Sequence, residues 1–227
     1  KAYPGHDYDD LMSAVDAAIA TGHVDPGNLF VTGGSGGGVL TAWIVGKTDR
    51  FRAAATQKPV IDWASFALTS DGAAFYSPYW FAKKPWEDPT GYWARSPLSL
   101  VGNVKTPTLV VVGSQDYRTP DSEAEQFYEA LQLRGVPSEF VKVPGASHGG
   151  IAARPSQAAA KASAILAWFD RYRTDRGPAP VASAAAASSS AKCPIDRRSS
   201  RVCVDGSRRC LRSWLCPSRA LRRKRVR

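Results

Sequence analysis

Gly33-Gly34-Ser35-Gly36-Gly37 satisfies the pattern G-x-S-x-G, which presents a serine hydroxyl on a tight turn from a strand into a helix. A hydroxyl is a weak nucleophile at neutral pH and needs a base, and the base needs an orienting acid. Both follow, in the chain order Ser, Asp, His. Asp116 closes the stretch Gly113-Ser114-Gln115-Asp116 just past the apolar run Leu109-Val110-Val111-Val112. His148 sits in the glycine-rich stretch Pro144-Gly145-Ala146-Ser147-His148-Gly149-Gly150 and is the sole histidine after His23. In such a set His148 takes the Ser35 proton and later returns it to the leaving group, while Asp116 fixes the tautomer and stabilises the imidazolium. The amide of Gly36, next after the nucleophile, is the expected oxyanion donor.

Other patterns carry less. Gly46-Lys47-Thr48 ends like a phosphate-binding loop, but Thr41 stands where that loop needs its first glycine. A dinucleotide fingerprint fails because Val39 occupies its last glycine position. His6 and His23 have no acidic or thiol neighbours at metal-ligand spacing, and Cys193, Cys203, Cys210 and Cys216 have irregular spacing and no accompanying histidine. No metal and no cofactor is expected. Arg118, two residues past Asp116, is placed either to meet a substrate carboxylate or to pair with nearby acids.

The elements that must position these residues can be read from periodicity. Leu11, Met12, Val15, Ala18 and Ile19 recur at helical spacing over 8–20, behind Asp7, Asp9 and Asp10 and ahead of Gly22. After the turn Asp25-Pro26-Gly27-Asn28, the spacing predicts a strand over 29–32, a helix over 36–47 and a strand over 53–57. The run 109–112 is apolar without alternation, as in a parallel strand buried on both faces. Thr119 is expected to cap a helix with Pro120 at its first position and a stripe of Ala124, Phe127, Tyr128 and Leu131. A strand over 140–143 and a helix striped by Ile165, Trp168, Phe169 and Tyr172 complete the series. Alternating strands and helices define the fold class α/β, a mostly parallel sheet with helices on both faces.

Residues 61–100 interrupt that rhythm with ten aromatic side chains. A segment that leaves the sheet just after the strand following the nucleophile can fold over the strand carboxyl ends, where such folds gather their ligands. It is therefore expected to form the acyl-side pocket. Tyr76 and Trp80, one helical turn apart, are the leading walls, with Trp63 and Phe66 behind them.

The formal charge of +10 invites a nucleic-acid reading, but its distribution does not support one for the body. Residues 1–176 hold 17 Lys and Arg against 18 Asp and Glu, whereas residues 177–227 hold 13 against 2. All four cysteines also fall in that second part. Two segments are expected: 1–176, which carries the chemistry, and 177–227, a basic low-complexity tail lacking the apolar residues to offset its ordering entropy. The tail's composition fits either a native low-complexity segment or a shifted reading frame, and its partners would be non-specific polyanions such as nucleic acid. No apolar run approaches the length of a membrane span.

Asp25 to Gly38, Gln115-Asp116-Tyr117-Arg118-Thr119-Pro120 with Gln126-Phe127-Tyr128, and Leu133-Arg134-Gly135-Val136-Pro137 to His148-Gly149 resemble the catalytic domain of the prolyl oligopeptidase family of serine peptidases, nearest its acylaminoacyl-peptidase and dipeptidyl-peptidase-like branch. The resemblance spans residues 1 to about 174. It implies an α/β-hydrolase domain, N-terminally truncated, acting on short peptides or N-acylated amino acids through an acyl-enzyme. It further implies an upstream β-propeller and first hydrolase strands, together with a second oxyanion donor upstream of Lys1; loss of one donor typically costs about 10²- to 10³-fold in rate. A carboxylesterase of the same fold would use the same three residues. An inactive fragment with a polyanion-binding tail is the reading that the missing upstream segment leaves open.

Overall fold

The computed structural model describes residues 2–149 and 154–174. The expected tail, 177–227, lies outside the described residues. Within them run α1 (Asp7–Ala20), β1 (Phe30–Gly34), α2 (Gly36–Lys47), β2 (Ala53–Gln57), α3 (Trp63–Thr69), α4 (Ala73–Trp80), α5 (Pro89–Arg95), a 3-10 turn (Pro97–Asn103), β3 (Thr108–Gly113), α6 (Asp121–Leu133), β4 (Ser138–Val143) and α7 (Pro155–Arg171).

The four strands form one parallel sheet in the order β1-β2-β3-β4. Neighbouring side chains on a strand point to opposite faces, and here each face has its own helices. Ala54, Val110 and Val112 pack with Ala42 and Val45 of α2 and with Ala124, Phe127 and Leu131 of α6. Ala53, Ala55, Leu109 and Val111 pack instead with Ile165 and Trp168 of α7. Every residue of β3 is buried, which is why its sequence shows no polar alternation. The sheet is thus an α/β-hydrolase sheet covered on both faces, in agreement with the expected class.

Strand and helix limits differ from the sequence reading in instructive ways. β1 runs two residues further than expected, because Gly33 and Gly34 pair with Thr56 and Gln57. α1 forms, yet none of its residues is buried and Leu11 is 37% exposed. Its apolar stripe is only half covered: Met12, Val15 and Ile19 are intermediate, and α1 packs on α2 alone among its larger helix contacts. α6 is preceded by Pro120, and Thr119 makes no capping bond to it.

The interrupting segment forms α3, α4, α5 and the 3-10 turn. It encloses a third apolar cluster of Val39, Val60, Trp63, Phe66, Phe81 and Tyr92. Val39 belongs to α2 and Val60 follows β2, so this cluster sits over the carboxyl ends of the strands.

Candidate active site

The parallel register brings Gly34, Gln57 and Val111 level with one another. The residues that follow each strand therefore emerge at one edge of the sheet. Ser35 follows β1 with φ 58° and ψ −119°. A side chain other than glycine's seldom adopts a positive φ, and such residues persist only where their surroundings fix them. Two glycines allow it by close approach: a Cβ on Gly33 would stand 2.4 Å from the Gly37 carbonyl oxygen, and one on Gly38 would stand 2.5 Å from that of Gln57. The Ser35 amide donates to the same Gln57 oxygen at 3.0 Å.

His148 Nδ1 lies 2.8 Å from Asp116 Oδ2 and 3.0 Å from Oδ1, and His148 Nε2 lies 2.9 Å from Ser35 Oγ. An ionised carboxylate can only accept, so Nδ1 carries the proton and Nε2 is left as the acceptor for the serine hydroxyl. That tautomer suits general-base removal of the Ser35 proton. Asp116 is held by more than His148, since its Oδ1 accepts the amides of Arg118 (3.1 Å) and Thr119 (2.9 Å). Its side chain is 1% exposed, whereas that of His148 is 24% exposed. The carboxylate is fixed and dry while the imidazole can be reached from solvent.

Thr119, expected as a helix cap, is turned to this site instead. Its hydroxyl stands 3.2 Å from Asp116 Oδ2 and 3.2 Å from His148 Nδ1. With Nδ1 protonated, the hydroxyl donates to the carboxylate and accepts a share of the Nδ1 proton. The cap was the wrong reading because an acceptor three residues back, Asp116, offers the buried hydroxyl a charge-assisted bond, stronger than a neutral one.

A cavity of about 620 Å³ opens beside Ser35, lined by Gly36, Trp63, Phe66, Tyr76, Trp80 and His148 among others. Tyr76 and Trp80 stack at 5.0 Å with an interplanar angle of 15°, as one helical turn of α4 dictates. Trp63 and Phe66 are buried behind them and fix the Trp80 ring from the rear at 5.0 and 6.1 Å. Tyr3, which no motif or periodicity marks, closes another side: its hydroxyl donates to the Gly36 carbonyl at 2.6 Å and its ring lies 6.2 Å from Trp80. Burial pushes the Tyr3 hydroxyl well above the ordinary phenol range, so it is a donor at every physiological pH. Arg118 pairs with Asp71 (2.6 Å) and with the Tyr76 hydroxyl (2.7 Å), the local pairing of the two roles considered for it.

The remaining candidates fall elsewhere. His6 lies on the surface beside Asp9 and His23 is exposed. Lys47, the last residue of α2, sits over the Trp43 ring of the same helix and the Tyr8 ring of α1, with no phosphate-cradling loop around it. No cluster of three or more metal-ligating side chains occurs among the described residues. No helix among them is long and apolar enough to cross a membrane.

A parallel sheet with a strained serine between strand and helix, and a histidine and an aspartate reaching it from later loops, is the arrangement that α/β hydrolases of the serine type share. The prolyl oligopeptidase family model matches residues 1–176, and the chain belongs to that family. Over 172 residues it is 43% identical to the uncharacterized peptidase YuxL of Bacillus subtilis, covering 75% of this chain and 26% of that one. Over 174 residues it is 35% identical to the acylamino-acid-releasing enzyme of Arabidopsis thaliana, covering 73% of this chain and 22% of that one. Among solved structures, a puromycin-hydrolyzing peptidase of Mycobacterium tuberculosis matches with a TM-score of 0.70 at 28% identity, covering 78% of this chain and 27% of that one. The Pyrococcus horikoshii acylaminoacyl peptidase shares the fold at a TM-score of 0.71 and 23% identity, with 76% and 28% covered. The chain spans about a quarter of the length of these relatives.

Proposed function

We propose that this chain carries the reacting centre of a serine peptidase that hydrolyses short peptides or N-acylated amino acids through an acyl-enzyme on Ser35. The observation that carries the reading is the unbroken chain from Asp116 Oδ2 through His148 to Ser35 Oγ, with links of 2.8 and 2.9 Å, at the mouth of an aromatic cavity. The relatives named as acylamino-acid-releasing enzyme and as dipeptidyl-peptidase 5 support the substrate class.

In this reading the substrate's acyl-side ring enters the cavity against the wall that the stacked Tyr76 and Trp80 form, with Trp63 and Phe66 behind it. Its carbonyl carbon then faces Ser35 Oγ. As the C–O bond forms, the serine proton passes to His148 Nε2, and the imidazolium is stabilised by Asp116. The negative oxygen develops beside the first turn of α2, whose Gly36 amide donates to it with the favourable end of the helix dipole behind. His148 gives its proton to the leaving amine as the C–N bond breaks. A water activated by the same imidazole then releases the acyl group and regenerates Ser35.

The test is labelling of the 227-residue chain with a fluorophosphonate, followed by mapping of the modified peptide. Modification at Ser35, abolished in Ser35→Ala and reduced by at least about 10³-fold in His148→Ala, is the expected result. Modification at another serine removes the assignment.

A further inference from the structure

For Ser35, Asp116 and His148 to meet, three loops from three different strands must be held together, and the carboxyl end of β2 is bonded to the first, to the third and to the strand that leads into the second. The Gln57 carbonyl accepts the Ser35 amide at 3.0 Å. The next amide, that of Lys58, donates at 2.6 Å to the Val111 carbonyl in β3, the strand that leads to Asp116. The Lys58 ammonium donates at 2.6 Å to the main-chain carbonyl of His148. On its way the lysine stem passes Gly34, where an added Cβ would lie 3.4 Å from Lys58 Cε. One residue pair thus joins the nucleophile turn, the strand that leads to the acid loop, and the base loop.

Lys58 reaches that position at a cost. Its φ is +41°, one of two positive values at residues other than glycine among the described residues, the other being Ser35. Pro59 follows directly and narrows the backbone choices of the preceding residue further. A glycine would remove the strain, so a turn alone does not explain a lysine here. The ammonium is half-buried, with Asp116 and Lys161 as the charged groups acting on it. Burial holds its pKa below the ordinary lysine range and Lys161 adds to that, while the Asp116 charge opposes both. A long, costly cation held in a strained turn and aimed at one carbonyl has the character of an anchor.

We propose that Lys58 is a positioning residue: its ammonium fixes the main chain of His148 and so keeps the imidazole between Asp116 and Ser35. The inference rests on the reading of Ser35, His148 and Asp116 as the reacting set. Lys58 touches no reacting atom. It acts through His148, whose loop is otherwise tied to the Asp116 loop by Gln115 N to Ala146 O at 2.9 Å and Gly145 N to Ser114 Oγ at 2.8 Å. Those bonds hold the loop upstream of His148, whereas the Lys58 bond holds the residue itself.

The experiment compares the 227-residue chain with Lys58→Arg, Lys58→Met and Lys58→Gly by fluorophosphonate labelling rate, melting temperature and the NMR signal of the His148 Nδ1 proton. A displacement of about 1 Å in such a site costs up to about 10²-fold, so labelling in the Met and Gly variants is expected to slow by about 10- to 100-fold. Arg, which keeps a cation within reach of the carbonyl, is expected to stay within about 3-fold. Because glycine relieves the positive φ, the Gly variant is expected to melt no lower than the parent while labelling slowly; a purely structural lysine would not separate the two readouts. Wild-type labelling rates in Met and Gly overturn the proposal, as do an Arg variant as slow as Met and a Gly variant whose lost labelling follows a lowered melting temperature. If the parent chain does not label at Ser35, the reading of the reacting set is what fails. The anchor is then judged on the Nδ1 proton alone: its loss in Met and Gly but not in Arg supports the anchor, and its persistence in all four overturns it.

Discussion

Glu123 is wholly buried in the first turn of α6, and both its oxygens lie out of water. Its Oε2 accepts the amides of Ile61 and Asp62, each at 2.9 Å, at the point where the chain leaves β2 for the aromatic segment. Replacing it by alanine strands two amides, and leaving a buried donor unsatisfied costs about 1–3 kcal/mol each. The alanine variant also loses the carboxyl's own burial penalty, so the net loss falls toward the lower end, about 2–3 kcal/mol. At about 2–4 °C per kcal/mol for a chain of this size, the melting temperature should fall by roughly 4–12 °C. Glutamine keeps an acceptor for both amides and should fall far less. The pH dependence separates the two causes. Burial is the largest effect on the Glu123 carboxyl and raises its pKa above the ordinary 4.5, against the pull of the nearby Ser65 hydroxyl and of the amides of Asp62 and Ile61. Below 4.5 both folded and unfolded chains hold the proton; above it the unfolded chain releases it first, so stability falls as pH rises until the folded group also ionises. Glu123→Gln lacks that limb and should gain on the parent as pH rises above 4.5, as read by circular-dichroism melting at intervals of one pH unit. An alanine variant that melts with the parent, or a glutamine variant as unstable as alanine at every pH, would refute the argument.

Three further outcomes follow from the site. Thr119→Val should slow fluorophosphonate labelling by about 10-fold, with Thr119→Ser restoring it, because the side-chain hydroxyl bonds both Asp116 and His148 while the amide bond to Asp116 is kept in every variant; equal rates in all three chains would remove the role. Tyr76→Ala and Trp80→Ala should each lower the preference for a phenylalanyl over an alanyl phosphonate by about 10-fold, as expected for loss of an apolar wall, and an unchanged ratio with lower rates for both would instead mark general damage to packing. Gly38→Ala should destabilise by about 1–3 kcal/mol through overpacking, because its new methyl would meet the Gln57 carbonyl, and a melting curve that overlays the parent's would contradict the close approach.

The parts of this molecule that the sequence made legible are those governed by local pattern. Buried β3 could be read from an unbroken apolar run, and α6 and α7 from stripes whose central residues, Phe127, Leu131, Ile165 and Trp168, are indeed buried. Ser35, Asp116 and His148 could be read as a set because each occupies a recognisable stretch after a strand, in a fixed chain order. The residues that tie them together could not. Lys58 acts through a carbonyl 90 positions away, Glu123 through amides 61 and 62 positions away, and Tyr3 through Gly36, 33 positions away. No periodicity reports such pairings. Thr119 was misread for the opposite reason: a threonine before a proline and an acidic turn fits a local cap well, and the long-range demand of Asp116 and His148 overrode it. α1 shows that amphipathic spacing predicts a helix without saying what will cover its face.

The sheet order also places β1, the strand that delivers Ser35, at a border of the described sheet, with β2 on one side. Phe30-Val31-Thr32-Gly33-Gly34 holds no charge and no proline, so it lacks the usual devices by which border strands discourage pairing with another chain. Among the described residues the strand that carries the strained turn is paired with β2, and an extended segment laid along its other side would stiffen it. Because β1 leads directly into the nucleophile turn, whatever pairs along its far side bears on how firmly Ser35 is held.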